Sequence, residues 1–193
     1  MIVRKCMAHV LFVTGLLISA VSMAADNGFY IGANLGQARP SFDTPNVAAA
    51  AGVGVTYDSS SYAYKVFGGY QLNQYFGVEL NYVYLGEYNI AIGGSPLANK
   101  VDITGWGGAL VGAAPLGKDF SLLGRVGMTY LRETFGGTSD NIWSPSFGIG
   151  LKYDFNPNVS LRGEIERYTK IGSNDNTLGG HANVYSVGLA YKF

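Results

Sequence analysis

Hydrophobic and polar positions alternate along most of the chain beyond the N-terminal region. Side chains point alternately to the two faces of a β-strand, so this period of two predicts strands rather than helices. The pattern predicts eight strands, at 28–37, 62–71, 75–85, 101–114, 120–132, 146–155, 158–168 and 182–193. No segment after the N-terminal region has the periodicity of an amphipathic helix, so the fold class is all-β.

The connections between these strands alternate in length. Short ones fall at 72–74, 115–119 and 156–158, where Asn, Pro and Gly favour turns. Long ones fall at 38–61, 86–100, 133–145 and 169–181. Short turns at one rim and long loops at the other predict an eight-stranded antiparallel up-and-down β-barrel.

The alternation divides the strands into a bulky face and a face of small and charged residues. The bulky face is almost uncharged and comprises Phe29, Ile31, Leu35, Val66, Tyr70, Phe76, Val78, Leu80, Tyr82, Tyr84, Phe147, Ile149, Leu151, Tyr153 and Phe155. The opposite face comprises Gly32, Asn34, Gly36, Lys65, Gly69, Glu79, Asn81, Asp102, Gly108, Arg125, Gly127, Gly148, Gly150, Lys152, Arg162, Glu164, Ser186, Gly188 and Lys192.

The glycines of the small and charged face indicate which face points into the barrel. A soluble, lipocalin-like barrel would place its bulky face inward and expose many glycines, which weaken strands without filling space. Inside an eight-stranded barrel, in contrast, small residues leave room for long charged side chains. The bulky face then contacts lipid, and barrel closure satisfies the backbone hydrogen bonds that hydrocarbon cannot. This arrangement predicts a transmembrane barrel of the bacterial outer membrane.

The N-terminal segment has the layout of a secretory signal peptide. Arg4 and Lys5 precede an apolar run at 10–20, and small residues at Ser22 and Ala24 predict cleavage after Ala24. A retained membrane helix is the alternative, but the apolar run is shorter than the roughly 20 residues that a span needs. The prediction is a signal peptide at 1–24 and a barrel domain at 25–193.

Cleavage would change the composition of the chain. It would remove the only cysteine, Cys6, so the mature barrel would have no disulfide and no cysteine-based metal site. Without Arg4 and Lys5, eleven basic side chains would face thirteen acidic ones. This nearly neutral balance, without basic clusters, argues against nucleic acid as a partner.

Charged residues on the small face are the candidate functional residues. Five of them are predicted to form an ion-pair network in the lumen: Glu79, Arg125, Lys152, Arg162 and Glu164. A charge in a narrow lumen loses hydration and needs an opposite charge or a hydrogen bond. Two interpretations remain open: the network fills and stiffens a plugged barrel, or it constricts a narrow pore.

Several stretches of the chain resemble the transmembrane barrel of the outer membrane protein A family. They are FGGYQLNQYFGVELNYVYLG at 67–86, LLGRVGMTYLRE at 122–133, SPSFGIGLKYDFNPNVSLRGEIERY at 144–168 and the terminal strand YSVGLAYKF. In that family, interior ionic side chains can block or open a narrow pore. The matching positions are Glu79, Arg125, Arg162 and Glu164, with Glu79 and Arg162 as the expected central pair.

The sequence also departs from the family pattern. Asn34 and Leu110 stand where inward lysines are expected, and Lys152 stands where an acidic residue is expected. These differences put a gate that exchanges ion-pair partners in doubt. A periplasmic peptidoglycan-binding domain follows the barrel in many members, whereas this sequence ends at Phe193, so we expect a barrel-only member.

The resemblance also implies a role for the last strand. Alternating apolar residues that end in an aromatic resemble the signal that the outer-membrane barrel assembly machinery recognises. The residues concerned are Tyr185, Val187, Leu189, Tyr191 and Phe193. The expected partners are this machinery, outer-membrane lipid and lipopolysaccharide, and the protein is expected to be a monomer.

Two other classes of function are compatible with an outer-membrane barrel: a lipid-modifying enzyme and a surface-binding protein. A lipid-modifying enzyme would need a held base, but His181 lies in a predicted loop and no catalytic, metal or cofactor motif is visible. The loop 39–61 carries an apolar Ala, Val and Gly run that could contact a surface ligand. The sequence therefore predicts a structural, non-enzymatic barrel, with a low-conductance pore as a further expectation and a loop-based adhesin or receptor as the alternative.

Overall fold

The computed structural model describes residues 27–42, 55–57, 60–92, 95–135, 138–171 and 180–193. The described residues form nine strands. Their bounds are β1 Gly28–Phe42, β2 Val55–Tyr57, β3 Ser61–Gln71, β4 Phe76–Ile92, β5 Ser95–Pro115, β6 Phe120–Phe135, β7 Thr138–Asp154, β8 Val159–Ile171 and β9 Gly180–Lys192. The predicted signal peptide and most of the first long loop lie outside these residues.

Eight long strands close into an antiparallel barrel. Each pairs with its neighbours in the chain, and β1 pairs with both β3 and β9, which joins the two ends of the meander. The short β2 adds to β4 at Ile90–Ile92, above the start of β3. The predicted fold class is confirmed, and closure pairs each of the eight long strands on both sides over the central part of the barrel.

The short turns lie where the sequence predicts them. Two use an asparagine whose side chain accepts backbone hydrogen bonds: Asn73 Oδ1 accepts from Tyr75 and Phe76 at 2.8 and 2.9 Å, and Asn156 Oδ1 does the same for Asn158 and Val159. These turns lie at the same end of the barrel as the first and last strand termini. In outer-membrane barrels this is the periplasmic end.

The long connections are shorter than predicted. β4 and β5 continue through 86–92 and 95–100, and β6 and β7 continue through 133–135 and 138–145. Gly86, with φ of 105°, forms a bulge that shifts the β4–β5 register and lets the ladder continue. The prediction was wrong here because strands outside the lipid no longer need apolar residues on their outer face.

The outer surface has an aliphatic band between two aromatic girdles. Exposed residues of the upper girdle, toward the long connections, are Tyr62, Tyr64, Trp106, Tyr130, Trp143 and Tyr185. Those of the lower girdle are Phe29, Tyr75, Phe76, Phe120, Phe155, Tyr191 and Phe193. Phe120 and Tyr130 lie ten residues apart on β6, about 33 Å along the strand, which corresponds to about 25 Å of membrane at a tilt of ~40°.

The predicted bulky face therefore points outward, but two residues assigned to the small and charged face, Gly108 and Asp102, point outward as well. Gly108 lies opposite the exposed Leu80 and Met128 and faces outward. Asp102 also faces outward, opposite Glu87, because the next residue, Ile103, points into the lumen and is 1% exposed. Both errors arose because an outward glycine or carboxylate does not fit a lipid-facing pattern.

No helix among the described residues is long and apolar enough to cross a membrane.

Candidate functional site

Six buried charged side chains form a closed ring inside the barrel. The ring order is Glu79, Arg125, Glu166, Lys65, Glu164 and Arg162, and Arg162 returns to Glu79. Three cations alternate with three carboxylates, so each charge contacts two of opposite sign and the ring is formally neutral. We call these six residues the charge ring.

Glu79 is the most enclosed member of the charge ring. Its side chain is 0% exposed, it contacts the Arg125 guanidinium, and its Oε1 accepts a hydrogen bond from Arg162 Nη1 at 2.8 Å. The Tyr30 hydroxyl donates a third hydrogen bond at 3.0 Å. Gly69 makes room for the Tyr30 ring, since a Cβ at that position would lie 2.5 Å from Tyr30 Cζ. These three donors compensate for the desolvation of the carboxylate.

The other contacts of the ring are also short. Lys65 Nζ donates to Glu164 at 2.6 Å and to Glu166 at 2.9 Å. Arg125 Nε lies 3.1 Å from Glu166 Oε1, and Arg162 Nε lies 2.8 Å from Glu164 Oε1. The geometry at these two Nε atoms is that of an ion pair without a hydrogen bond. The Arg162 guanidinium also lies 4.7 Å from the centre of the Phe67 ring, a cation–π distance.

Strand periodicity assembles half of this ring on one strand. Arg162, Glu164 and Glu166 alternate along β8 and therefore all point inward. Lys65 on β3, Glu79 on β4 and Arg125 on β6 reach them across the lumen. The narrow interior of an eight-stranded barrel is what allows side chains from opposite walls to meet.

The structure brings together four of the five predicted lumen residues. Glu79, Arg125, Arg162 and Glu164 are in the ring, whereas Lys152 pairs with Asp154 at 3.0 Å near the periplasmic rim, where both side chains are partly exposed. Lys65 was placed on the inner face but given no partner, and Glu166 was missed. The alternation of RGEIE, which puts Glu166 on the same face as Arg162, was the signal that could have identified it.

The structure also shows where two residues that depart from the family pattern lie, Asn34 and Leu110. Asn34 points inward, is fully buried, and donates to the Ser186 hydroxyl at 3.4 Å. Leu110 points outward and is 66% exposed, so it cannot replace an inward lysine. The residue register assumed for that strand was therefore wrong by one position.

A second lumen region, between the charge ring and the long connections, is apolar. It consists of Ala38, Ala63, Val83, Leu85, Tyr88, Ile103, Leu131, Tyr168, Ile171, Ala182 and Val184, with Val101 and Ile142 packed against them. We call it the apolar plug. Together these residues come from all eight long strands, and the Tyr88 hydroxyl donates to Leu85 O at 2.5 Å within it. The plug was not predicted from the sequence, because bulky residues were assigned to the lipid face.

Open space in the lumen lies on the periplasmic side. A cavity of about 590 Å³ opens among the short turns and reaches Tyr30 and Arg162 at its inner end. Above the ring, the space beside Lys65, Glu166 and Tyr168 is about 10 Å³, the size of a single water molecule. The charge ring and apolar plug therefore separate a periplasmic vestibule from the long connections.

The remaining predicted residues lie on the outer surface. Tyr185, Val187, Leu189, Tyr191 and Phe193 all face outward, with exposed side chains. His181, predicted in a loop, is instead in β9 opposite Ser41. Within the described segments, no three His, Cys, Asp or Glu side chains are grouped to hold a metal ion.

Comparison with known proteins agrees with this geometry. Residues 9–193 match the family described as outer membrane protein β-barrel domain. Outer membrane protein A of Shigella flexneri is 30% identical over 98% of this chain, which spans 56% of that relative's length. The chain thus spans about half the length of the curated relatives it matches.

Two solved structures share the fold at low sequence identity. The outer membrane protein OprG from Pseudomonas aeruginosa has a TM-score of 0.63 and 16% identity, covering 88% of this chain and 96% of that one. Ail of Yersinia pestis, solved in complex with the heparin analogue sucrose octasulfate, has a TM-score of 0.55 and 17% identity, covering 89% and 100%. The chain belongs to the outer membrane protein A family of β-barrels and is a protein of the bacterial outer membrane.

Proposed function

We propose that this protein is a structural, non-enzymatic barrel of the cell envelope whose lumen is closed to ions. The observation that carries the proposal is the apolar plug, whose members include Val83, Ile103 and Leu131, all at most 1% exposed. An ion in such a region would lose its hydration without gaining a polar partner. The plug therefore favours a closed scaffold over a permanent pore.

The charge ring also supports a closed lumen. A gate that works by exchanging partners needs a member with an alternative partner nearby. Each ring member already contacts two opposite charges, and Lys152 lies at the rim with Asp154. Opening a path through the ring would leave buried charges unpaired, which costs roughly 3 to 5 kcal/mol for a broken buried pair.

Ion flux from vesicles tests the proposal. The folded protein is reconstituted into phospholipid vesicles loaded with a potassium-sensitive dye, with gramicidin as the positive control. The proposal predicts flux equal to that of protein-free vesicles. Flux that scales with the amount of folded protein would contradict it and favour the low-conductance pore.

Binding through the long connections is the alternative function. Residues 43–54 and 172–179 are outside the described part of the chain, so the alternative remains a sequence-based hypothesis. Ail, which shares the fold, was crystallised with a heparin analogue. Replacing residues 40–60 by a short Gly–Ser linker should abolish ligand or host-cell binding under this alternative, and should leave vesicle flux unchanged.

Export and assembly complete the proposal. We propose that residues 1–24 direct secretion and that the last strand is read by the barrel assembly machinery. The outward alternation of Tyr185, Val187, Leu189, Tyr191 and Phe193 supports the second role. Removing Phe193 should slow insertion in cells while leaving the barrel able to fold in detergent, and equal insertion rates would count against the proposal.

A further inference from the structure

Exposed cations lie on the outer surface of β1 and β8, the two strands that flank β9. Arg39 on β1 and Arg167 on β8 both lie directly opposite Asn183 on the intervening β9. Two strand spacings separate the arginines, so their backbones are about 10 Å apart. Lys170 is exposed at the bulge of β8 beside this row. We call Arg39, Asn183, Arg167 and Lys170 the basic row.

The basic row begins where the upper aromatic girdle ends. Tyr185 lies two residues from Asn183 on the same outer face of β9, on the membrane side. The Arg39 guanidinium lies 5.5 Å from the centre of the Tyr185 ring. Girdle aromatics sit at the level of the lipid headgroups, so the cations lie at or just above that level on the side of the long connections.

These cations differ from those of the lumen in their partners. Lys65, Arg125 and Arg162 each contact two carboxylates, whereas none of the three cations of the basic row has a carboxylate partner within the described residues. On the far side of the barrel, the outward pair at a similar height is acidic, with Glu87 opposite Asp102. The outer surface therefore carries the basic row at β8, β9 and β1, and a carboxylate pair at β4 and β5.

We propose that the basic row binds the phosphate groups of lipid A, the membrane anchor of lipopolysaccharide, in the outer leaflet. Guanidinium groups bind phosphate oxygens through paired hydrogen bonds, and the Asn183 amide can add a donor between them. Basic clusters beside the membrane recognise anionic headgroups. The proposal rests on the outer-membrane location and not on whether the lumen conducts. It gives the barrel one side that is preferentially covered by lipopolysaccharide.

Native mass spectrometry of the detergent-solubilised folded barrel, titrated with bis-phosphorylated lipid A, tests this site. The test variant is Arg39→Gln/Arg167→Gln. The matched control, Lys118→Gln/Lys152→Gln, removes the same charge at the periplasmic end. Removal of two interfacial cations should lower lipid A affinity by roughly tenfold to thirtyfold, and the control should bind like the wild type. Folding of all proteins is checked by the heat-dependent shift in gel mobility.

Three further measurements separate the alternatives. Lipid A from which both phosphates have been removed should bind the wild type as weakly as intact lipid A binds the test variant. Phosphatidylglycerol should compete poorly, and equal competition would overturn the proposal in favour of general attraction to anionic lipid. Equal lipid A affinity in the test variant and control would also overturn it. So would a loss of heparin binding with unchanged lipid A binding, which would assign the row to a soluble polyanion.

Discussion

The charge ring and the apolar plug occupy the same lumen but fill it by opposite means. The ring keeps six charges buried by giving each two opposite neighbours, whereas the plug excludes charge and packs side chains from all eight long strands. The periplasmic vestibule reaches the ring at Arg162. This difference supports the proposal that the lumen is closed at two levels, by ion pairing where the vestibule ends and by apolar packing nearer the long connections.

The largest expected effect comes from breaking the ring at its most enclosed member. Glu79→Gln would leave Arg125 and Arg162 without the carboxylate that joins them. Loss of one partner from a buried ion pair should lower the free energy of unfolding by about 3–5 kcal/mol. Urea unfolding in lipid vesicles measures the change. Lys152→Gln, which breaks the partly exposed pair with Asp154, is the control and should cost less than about 1 kcal/mol.

Shortening a side chain of the apolar plug should cause the next largest loss in the free energy of unfolding. Leu131 is 0% exposed, and Leu131→Ala should cost about 2–5 kcal/mol because it leaves a cavity in the packed lumen. The control is Leu110→Ala on the lipid face, where acyl chains can fill the space. Equal losses from the two substitutions in the same unfolding measurement would show that the plug is not tightly packed.

Removing one cation and one carboxylate of the charge ring together should lower the free energy of unfolding by less than the sum of the two single substitutions. Arg162→Gln/Glu164→Gln removes one cation and one carboxylate, and the remaining four charges still alternate. The double variant should be more stable than the sum of the two single losses predicts, by about 1–3 kcal/mol. A double-mutant cycle measures this coupling, and strict additivity would argue that the ring does not act as a unit.

The smallest effect concerns a like-charged pair outside the lumen. Burial and the facing Glu87 carboxylate raise the pKa of Asp102. A carboxyl whose folded pKa is raised binds its proton more tightly in the folded state, so stability falls as pH rises from the unfolded pKa through the folded one. Asp102→Asn should therefore stabilise the barrel at neutral pH by a few tenths of a kcal/mol.

The stability gain of Asp102→Asn at low pH provides the control for that prediction. Below about pH 3, Asp102 is protonated in both states and the substitution should give no gain. A gain of the same size at pH 7 and below pH 3, measured by urea unfolding, would mean that charge repulsion is not its cause.

Much of the fold followed from the alternation of side chains. The lipid-facing side is recognisable because hydrocarbon admits few polar residues, so runs such as Phe76, Val78 and Leu80 identify both the strand and its outer face. Two of the three short turns were equally clear from their asparagines, Asn73 and Asn156. The strand extensions beyond the membrane were missed because water accepts any polar residue there.

The lumen was less predictable, since an interior residue can be charged, small or apolar. Arg162 and Glu164 stood out as charges among lipid-facing neighbours, but nothing local indicates that Glu166 reaches Lys65 from another strand. Val83, Leu85 and Leu131 look like lipid-facing residues in the sequence. Only their position in the alternation places them inside: Val83 and Leu85 lie two and four residues beyond inward Asn81, and Leu131 lies two residues beyond inward Thr129.

The central claim is that two independent barriers close the lumen, and single-channel recording in planar bilayers tests it most directly. Four proteins are compared: the wild type, Arg162→Gln/Glu164→Gln, Tyr88→Ala/Leu131→Ala, and the combination of all four substitutions. Discrete openings are expected only in the combination, with each double variant silent in folded protein. Openings of the wild type, or of either double variant alone, would contradict closure by two independent barriers.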